Sequence, residues 1–168
     1  GILFARRSTA NKDASLLHDI YLFRFSDKET IRLSKGLRAE SVDVSPDGKL
    51  FVLTINEAGR RDLAIAATPD LTKKRIATIE VEDVLMRLPS LPHEQYYLPR
   101  WSPDGTRVAV SRHREEGRCV RIFTYDSATH LLTLEREFSG NGAELRDPSW
   151  SADGRSLHVS YDESGIAN

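Results

Sequence analysis

Short runs of apolar and β-branched residues, bounded by turn residues, recur along the chain at similar intervals. The clearest run, Arg-Val-Ala-Val-Ser at 107–111, follows the turn Ser-Pro-Asp-Gly at 102–105. The same turn stands at 45–48, and a Ser-Ala-Asp-Gly version stands at 151–154, each before another apolar run. Apolar runs on both sides of a turn that contains Asp-Gly predict a β-hairpin. The pattern therefore predicts three copies of one antiparallel unit.

The turn residues have backbone roles in such a hairpin. Proline sets φ at the first central position, aspartate bonds to its own backbone, and glycine accepts the positive φ of a tight reversal. We therefore expect Asp47, Asp104 and Asp153 to be structural rather than catalytic or metal-binding.

The three hairpins divide the chain into four units. The intervals between them exceed the ~40–45 residues of one four-stranded propeller blade, as loops inserted into blades would cause. We predict an incomplete blade at 1–40, blades at 41–96 and 97–145, and a second incomplete blade at 146–168. The predicted fold is all-β, with blades of four-stranded antiparallel sheets in an incomplete ring, because closed propellers have typically 4–8 blades. A longer polypeptide or self-association would supply the rest.

The rhythm of strands breaks after the strand predicted at 75–79, which would be the outer strand of the second unit. Apolar residues at 81, 84, 85 and 88 follow the i, i+3, i+4, i+7 spacing of one helix face, and Pro89 would end that helix. The second unit, 41–96, is therefore predicted to carry a helical insert within 80–95. A packed cap over the blade edge is the favoured interpretation, and a lid over the channel mouth is the alternative.

The segment Trp101-Ser102-Pro103-Asp104-Gly105 resembles the repeat of the TolB-like β-propeller family, a repeat that is also found in the propellers of prolyl-oligopeptidase-like enzymes. Val44 replaces the tryptophan in the first copy and Ala152 replaces the proline in the third, but both copies keep Asp-Gly. The resemblance implies a periplasmic or cell-envelope location. Trp101 and Trp150 are expected to bury against neighbouring sheets.

Composition narrows the classes of partner. A net charge of −1 over 168 residues argues against a nucleic-acid surface, which would be basic. No apolar run approaches the ~20 residues that span a bilayer, so no membrane insertion is predicted. The single cysteine, Cys119, excludes an intramolecular disulfide and a cysteine-rich metal site, and we expect it in a buried strand as a small hydrophobe.

No catalytic motif was found in the sequence. The chain lacks a Gly-x-Ser-x-Gly elbow, a His-Glu-x-x-His pair and a phosphate-binding glycine loop. The five histidines are scattered, and His158 is expected to be a partly buried strand residue. We therefore predict no catalytic residue, no metal site and no cofactor, and the chain itself is predicted not to be an enzyme.

Binding residues are expected in the loops at one end of the channel, where propellers usually carry function. These loops connect the fourth strand of one blade to the first of the next, and the second strand to the third. The candidate binding residues are Arg7, Arg38, Glu40, Asn56, His93, Gln95, His113, Glu144, Arg146 and Asp162. A solvated rim of mixed charge is the competing interpretation of these side chains.

Three functions are compatible with this pattern. The favoured one is a non-enzymatic module that binds a protein or peptide through these loops. The alternative is the substrate-gating propeller of a prolyl-oligopeptidase-like serine hydrolase whose catalytic domain would lie outside this chain. A lactonase-type propeller with a central metal is disfavoured, because Asp43, Arg100 and Ser149 at the equivalent inner positions make a poor metal cage.

Overall fold

The computed structural model describes residues 1–8 and 17–163, and antiparallel strands dominate them. The first sheet contains β1 (Ile2–Ser8), β2 (Leu17–Phe23) and β3 (Thr30–Arg32). The second contains β4 (Ala39–Val44), β5 (Leu50–Glu57), β6 (Arg60–Ala67) and β7 (Val84–Leu88). The third contains β8 (Gln95–Trp101), β9 (Arg107–Arg114), β10 (Gly117–Tyr125) and β11 (Leu132–Phe138). The fourth pairs β12 (Glu144–Trp150) with β13 (Leu157–Asp162).

The second and third sheets have four strands each and are linked by one parallel bridge, between Arg61 and Gln95. This confirms the all-β class and the four-stranded antiparallel sheets predicted from the hairpin repeats. The sheets described here do not close into a ring. The division of the chain into blades at the predicted boundaries stays a prediction.

The predicted helix within 80–95 and the predicted outer strand at 75–79 are both wrong. The outer strand of the second sheet is β7, which pairs with β6, and only a single turn of 3₁₀ helix, Val81–Asp83, precedes it. The apolar residues at 84, 86 and 88 also fit the two-residue period of a strand, and pairing satisfies the backbone of β6. Within 75–79, Ile79 makes an isolated bridge to Ser34, which follows β3, instead.

Each of the three hairpin turns has the same hydrogen bonds. In the central copy the Ser102 hydroxyl donates to Asp104 Oδ1 at 2.5 Å, and the backbone N–H of Thr106 donates to the same oxygen at 3.0 Å. The Gly105 N–H donates to the Ser102 carbonyl at 2.9 Å, with φ of 70° at the glycine. The hydrogen bonds that Asp104 accepts lower its pKa to about 2, and the bond from the Ser102 hydroxyl is the largest cause. The turn aspartates therefore have the structural role that the sequence predicts.

Strand β5 shows how the core is arranged. Phe51, Leu53 and Ile55 point into an apolar cluster shared with the first sheet, while Val52 on the opposite face points into a cluster shared with the third. All four side chains are buried because each face of this sheet is covered by a neighbour. This explains why the sequence of β5 is a continuous apolar run rather than an alternating one.

Full or partial burial of four residues was predicted from the sequence, namely Cys119, Trp101, His158 and Trp150. Cys119 is buried in β10, as predicted, and burial raises the pKa of its thiol. Trp101 is also buried and packs edge-to-face on Tyr125, with ring centroids 5.0 Å apart. His158 is exposed, contrary to the prediction, because β13 belongs to a two-stranded sheet and lacks the neighbours that bury β5.

Trp150 is half-buried against the third sheet, so it meets the expectation of burial against a neighbouring sheet less completely than Trp101 does. Its ring lies under the Arg107 guanidinium at 4.8 Å, and its Nε1 donates to the Arg100 carbonyl at 3.1 Å. These contacts tie the fourth sheet to the third without enclosing the ring.

Replacing Trp101 with alanine is expected to lower the free energy of unfolding by about 3–5 kcal/mol, because a large aromatic side chain is removed from a closed core. Urea denaturation of the variant and the wild type measures this difference. Trp150→Ala is the matched control and is expected to cost less, since its ring is half-exposed. Equal losses in the two variants would contradict the packing described here.

Candidate functional site

A continuous row of polar side chains crosses the first three sheets at one end. It runs along the starts of β4 and β8, the ends of β1, β5 and β9, and the starts of β2 and β6. We call this row the polar belt; its members are Arg7, His18, Glu40, Asn56, Arg61, Gln95, Tyr97 and His113. Five of these eight residues, namely Arg7, Glu40, Asn56, Gln95 and His113, were predicted from the sequence as binding candidates.

Bulges in the inner strands shape this end of the sheets. The pairing of β8 with β9 shifts between Tyr97 and Arg100, and the pairing of β12 with β13 shifts between Arg146 and Ser149. Leu98 within the first bulge has φ of 48°, an uncommon value for a residue with a side chain. A bulge re-aims the side chains beside it. The inner strands therefore present polar groups at this end while their other ends remain in regular pairing.

Glu40 is the centre of the belt between the first and second sheets. Asn56 Nδ2 donates to its Oε1 at 2.8 Å, and His18 Nδ1 lies 3.5 Å from the same oxygen. The Arg61 guanidinium forms an ion pair with its other oxygen. Arg7 extends the row, because its Nε donates to His18 Nε2 at 3.4 Å. The carboxylate thus joins side chains from three strands of two sheets.

Arg61 continues the belt from the second sheet to the third. Its guanidinium carbon lies 4.2 Å from the centroid of the Tyr97 ring, within the range of a cation–π contact. Its Nη1 also donates to Gln95 Oε1 at 3.4 Å, and the Tyr97 hydroxyl donates to the same oxygen. The Tyr97 ring in turn meets His113 edge-on, with centroids 6.5 Å apart.

At each boundary between successive sheets, a side chain from the same repeat position contacts the next sheet. His18, Arg61 and Arg118 occupy the same place near the start of the third strand in successive units, by their pairing with Arg7, Asn56 and His113. Each of the three reaches a side chain on the first strand of the following sheet, namely Glu40, Gln95 and Glu144. Arg118 Nε lies 3.7 Å from Glu144 Oε2. A basic residue at this position therefore marks each boundary between sheets.

Sequence reasoning missed His18, Arg61 and Tyr97. The first two would have been found by aligning the start of the third strand as well as the end of the second. Tyr97 occupies the same repeat position, at the bulge, as Glu40 and Arg146. Because Glu40 and Arg146 were both predicted as binding candidates, the repeat alignment could also have identified Tyr97.

The other candidates lie outside the belt or at its margins. Arg146 Nη2 lies 2.8 Å from Asp162 Oδ2 in the fourth sheet, and a cleft of about 110 Å³ is lined by Arg146 on one side and by His113 and Tyr97 on the other. His93 is more than three-quarters exposed, and its Nδ1 lies 3.5 Å from Glu115 Oε1. Glu144 pairs with Arg118 instead of joining the row. Arg38 is exposed and lines a cleft of about 150 Å³ beside Glu40.

A buried charge network supports the belt from behind. Arg112 Nε lies 2.7 Å from Glu94 Oε1, and Arg121 Nη1 donates to the same oxygen at 2.6 Å and to the Tyr96 hydroxyl at 2.9 Å. Burial opposes the charge on Glu94, but the two guanidinium groups outweigh it, so the pKa of Glu94 lies below its usual range. Burial, with the neighbouring Glu94 charge, raises the pKa of Tyr96 to about 12. Glu94 directly precedes Gln95, so this network fixes the start of β8.

Asp43, one of the inner strand positions considered for a central metal, is engaged in a contact between sheets. Asp43 Oδ2 accepts the Trp101 backbone N–H at 2.8 Å, and burial raises the pKa of this carboxyl. Within residues 1–8 and 17–163, no group of three or more His, Cys, Asp or Glu side chains is arranged to hold a metal ion. In the same ranges, no helix is long and apolar enough to cross a membrane.

No protein-family model matches the chain. It is 35% identical over 74 residues to the Tol-Pal system protein TolB of Alcanivorax borkumensis, a match that covers 44% of the chain and 16% of that protein. The structure is similar to that of TolB from Acinetobacter baumannii, with a TM-score of 0.58, 20% identity, and coverage of 96% of the chain and 35% of TolB. It is also similar to a putative 6-phosphogluconolactonase from Bacteroides uniformis, with a TM-score of 0.57, 14% identity, and coverage of 85% and 40%.

The structure is also similar to the Swd1 β-propeller domain of Myceliophteria thermophila, with a TM-score of 0.56, 14% identity, and coverage of 86% and 46%. These similarities confirm that the sheets are blades of a β-propeller. The chain spans 16% of the length of its curated relative and less than half of each of these solved structures. The solved structures bear names of different functions, so they define the fold rather than the activity.

Replacing Arg61 with alanine is expected to lower the free energy of unfolding by about 1.5–3 kcal/mol. The substitution removes the guanidinium that pairs with the mostly buried Glu40 carboxylate and leaves that charge without its cation. Arg60→Ala is the matched control, since Arg60 is exposed in the same turn. Urea denaturation of both variants measures the difference. If the two arginines proved equivalent, the belt would be an ordinary solvated rim.

Proposed function

We propose that the chain is part of a TolB-like propeller that acts as a non-enzymatic interaction module and binds a protein or peptide through the end that carries the polar belt. The observation that carries this proposal is the belt itself. Its side chains come from three successive blades and are bonded to one another across both boundaries. A surface held in this way is preformed, so little side-chain entropy is lost when a partner binds.

The side chains in the belt suit recognition of a polypeptide. Guanidinium, imidazole, carboxamide and carboxylate groups alternate along it, and each can exchange hydrogen bonds with a peptide backbone or its polar side chains. Tyr97 and Arg61 together offer the aromatic and arginine groups that are enriched in protein interfaces. The two clefts at the margins, one beside Glu40 and one beside His113, make the surface concave where a side chain of the partner could enter.

The similarity to TolB supports a periplasmic or cell-envelope location for this proposed module.

The outer faces of the first and last blades support completion of the propeller by more polypeptide or by a second copy. Phe4 and Tyr21 stack on the first blade at 5.8 Å, and Ile2 beside them is 53% exposed. On the last blade Tyr161 is 40% exposed. Apolar faces of this kind are covered in a propeller by the next blade.

Site-specific photo-crosslinking in the cells that make the protein tests the proposed function. A photoreactive residue at His113, in the belt, is expected to trap a protein partner. The same residue at Ala128 is the control, because Ala128 is exposed in the β10–β11 turn at the opposite end of the blade. Adducts that form equally at both positions, or only at Ala128, would contradict binding through the belt.

Two further measurements, the sequence of the native polypeptide and a lactone-hydrolysis assay, separate the proposal from its alternatives. A native polypeptide that continues into an α/β segment with Gly-x-Ser-x-Gly would establish the gating propeller of a serine hydrolase. Hydrolysis of a sugar lactone that is abolished by His113→Ala would establish an enzyme and contradict the non-enzymatic role.

A further inference from the structure

One cavity lies at the boundary between the first and second blades, and it reaches the end of the blades that carries the belt at Arg38 and Asn56. It measures about 530 Å³, which falls within the range of small-molecule and side-chain binding pockets. Its lining comes from the 36–38 loop, the end of β5, the 3₁₀ turn and β7. We call this cavity the seam groove.

The seam groove is apolar at its base and on one wall. Leu37 and Ile55 at the base are 3% and 5% exposed and belong to the core cluster between the two blades. Val81 and Leu85 on the wall are 63% and 43% exposed although they line the cavity. Apolar side chains exposed around a concave site gain free energy when another apolar group covers them.

The charge at the rim selects the kind of partner. Arg38 is exposed, has φ of 56°, and lines both the seam groove and the smaller cleft that contains Glu40 and Asn56. The carboxylates at this rim already have cations of their own. Glu40 pairs with Arg61, and Glu57 lies 2.8 Å from Arg87. A partner with a carboxylate therefore meets the Arg38 guanidinium without competing against a neighbouring acid.

Strand β7, which forms the wall, is held firmly. Asp62 is buried and accepts hydrogen bonds from Arg87 Nε and from the Ser90 backbone N–H, both at 2.8 Å. Burial opposes the charge on Asp62, but these donors outweigh it and lower the pKa of Asp62. The wall is thus attached to β6 by a partly buried salt bridge as well as by strand pairing, and the groove is preformed.

We propose that the seam groove binds a short peptide segment of the partner, with a large apolar side chain in the groove and an aspartate or glutamate at Arg38. This inference rests on the proposed function, because it identifies the part of the partner that the belt surface receives. Arg38 and Asn56 line both the groove and the belt-side cleft, so one extended segment can occupy the groove and continue along the belt.

A random-peptide library displayed on phage, selected against the immobilised 168-residue chain, tests the inference. Enriched peptides are expected to carry a large apolar residue next to, or one position away from, Asp or Glu. Binding of the enriched peptides is expected to fall at least ~10-fold with Leu85→Asp and with Arg38→Glu, as for a contact at the centre of an interface. Leu131→Asp and Arg155→Glu are the matched controls, since both residues are exposed in turns at the opposite end.

Three results distinguish this inference from the proposed function. Loss of binding in the two groove variants, with the controls and the circular dichroism melting curves unchanged, supports it. Enriched peptides that lose binding with His113→Ala but keep it with Leu85→Asp overturn the seam groove and leave the belt as the binding surface. A library from which no peptide is enriched counts against both.

Discussion

Each central blade of this protein has two apolar faces, and both have to be covered by neighbouring blades. Strand β5 shows this directly, since Phe51 and Leu53 enter the core on one side and Val52 enters it on the other. A four-stranded sheet of this composition has little stability alone, because both of its apolar faces would be exposed to water. The positions of the hairpins, the belt and the seam groove all depend on blades that stack face to face at a fixed spacing.

The two ends of the blades serve different purposes under this constraint. At one end, the Ser-x-Asp-Gly turns follow each other closely. A Cβ on Gly105 would lie 3.5 Å from Pro46 Cδ, and one on Gly154 would lie 3.5 Å from Pro103 Cδ. Because these turns repeat with the same hydrogen bonds, they set the spacing of the blades. At the other end, the inner strands bulge and polar side chains replace the regular repeat, so the chemistry that differs between blades is concentrated there. The buried Glu94 network keeps this end ordered as well.

More of the fold than of the candidate site could be predicted from the sequence. The Asp-Gly turns and the apolar runs predict antiparallel blades because those signals are local. The helix predicted within 80–95 failed because Val84 and Leu88 satisfy both a helical and a strand period, and pairing with β6 decided between them. Most of the belt residues were selected by their repeat position, but their mutual contacts depend on the angle between blades. Arg61 and Tyr97 come together only across a boundary that no local pattern describes.

The central claim is that the belt is one rigid surface built across blades, and a double-mutant cycle between Arg61 and Tyr97 tests it most directly. The free energies of unfolding of Arg61→Ala, Tyr97→Leu and the double variant would be compared with that of the wild type. Residues in contact are expected to show a coupling energy of about 0.5–3 kcal/mol. A coupling energy indistinguishable from zero would mean that the two blades do not hold each other through this contact, and the preformed surface would have to be abandoned.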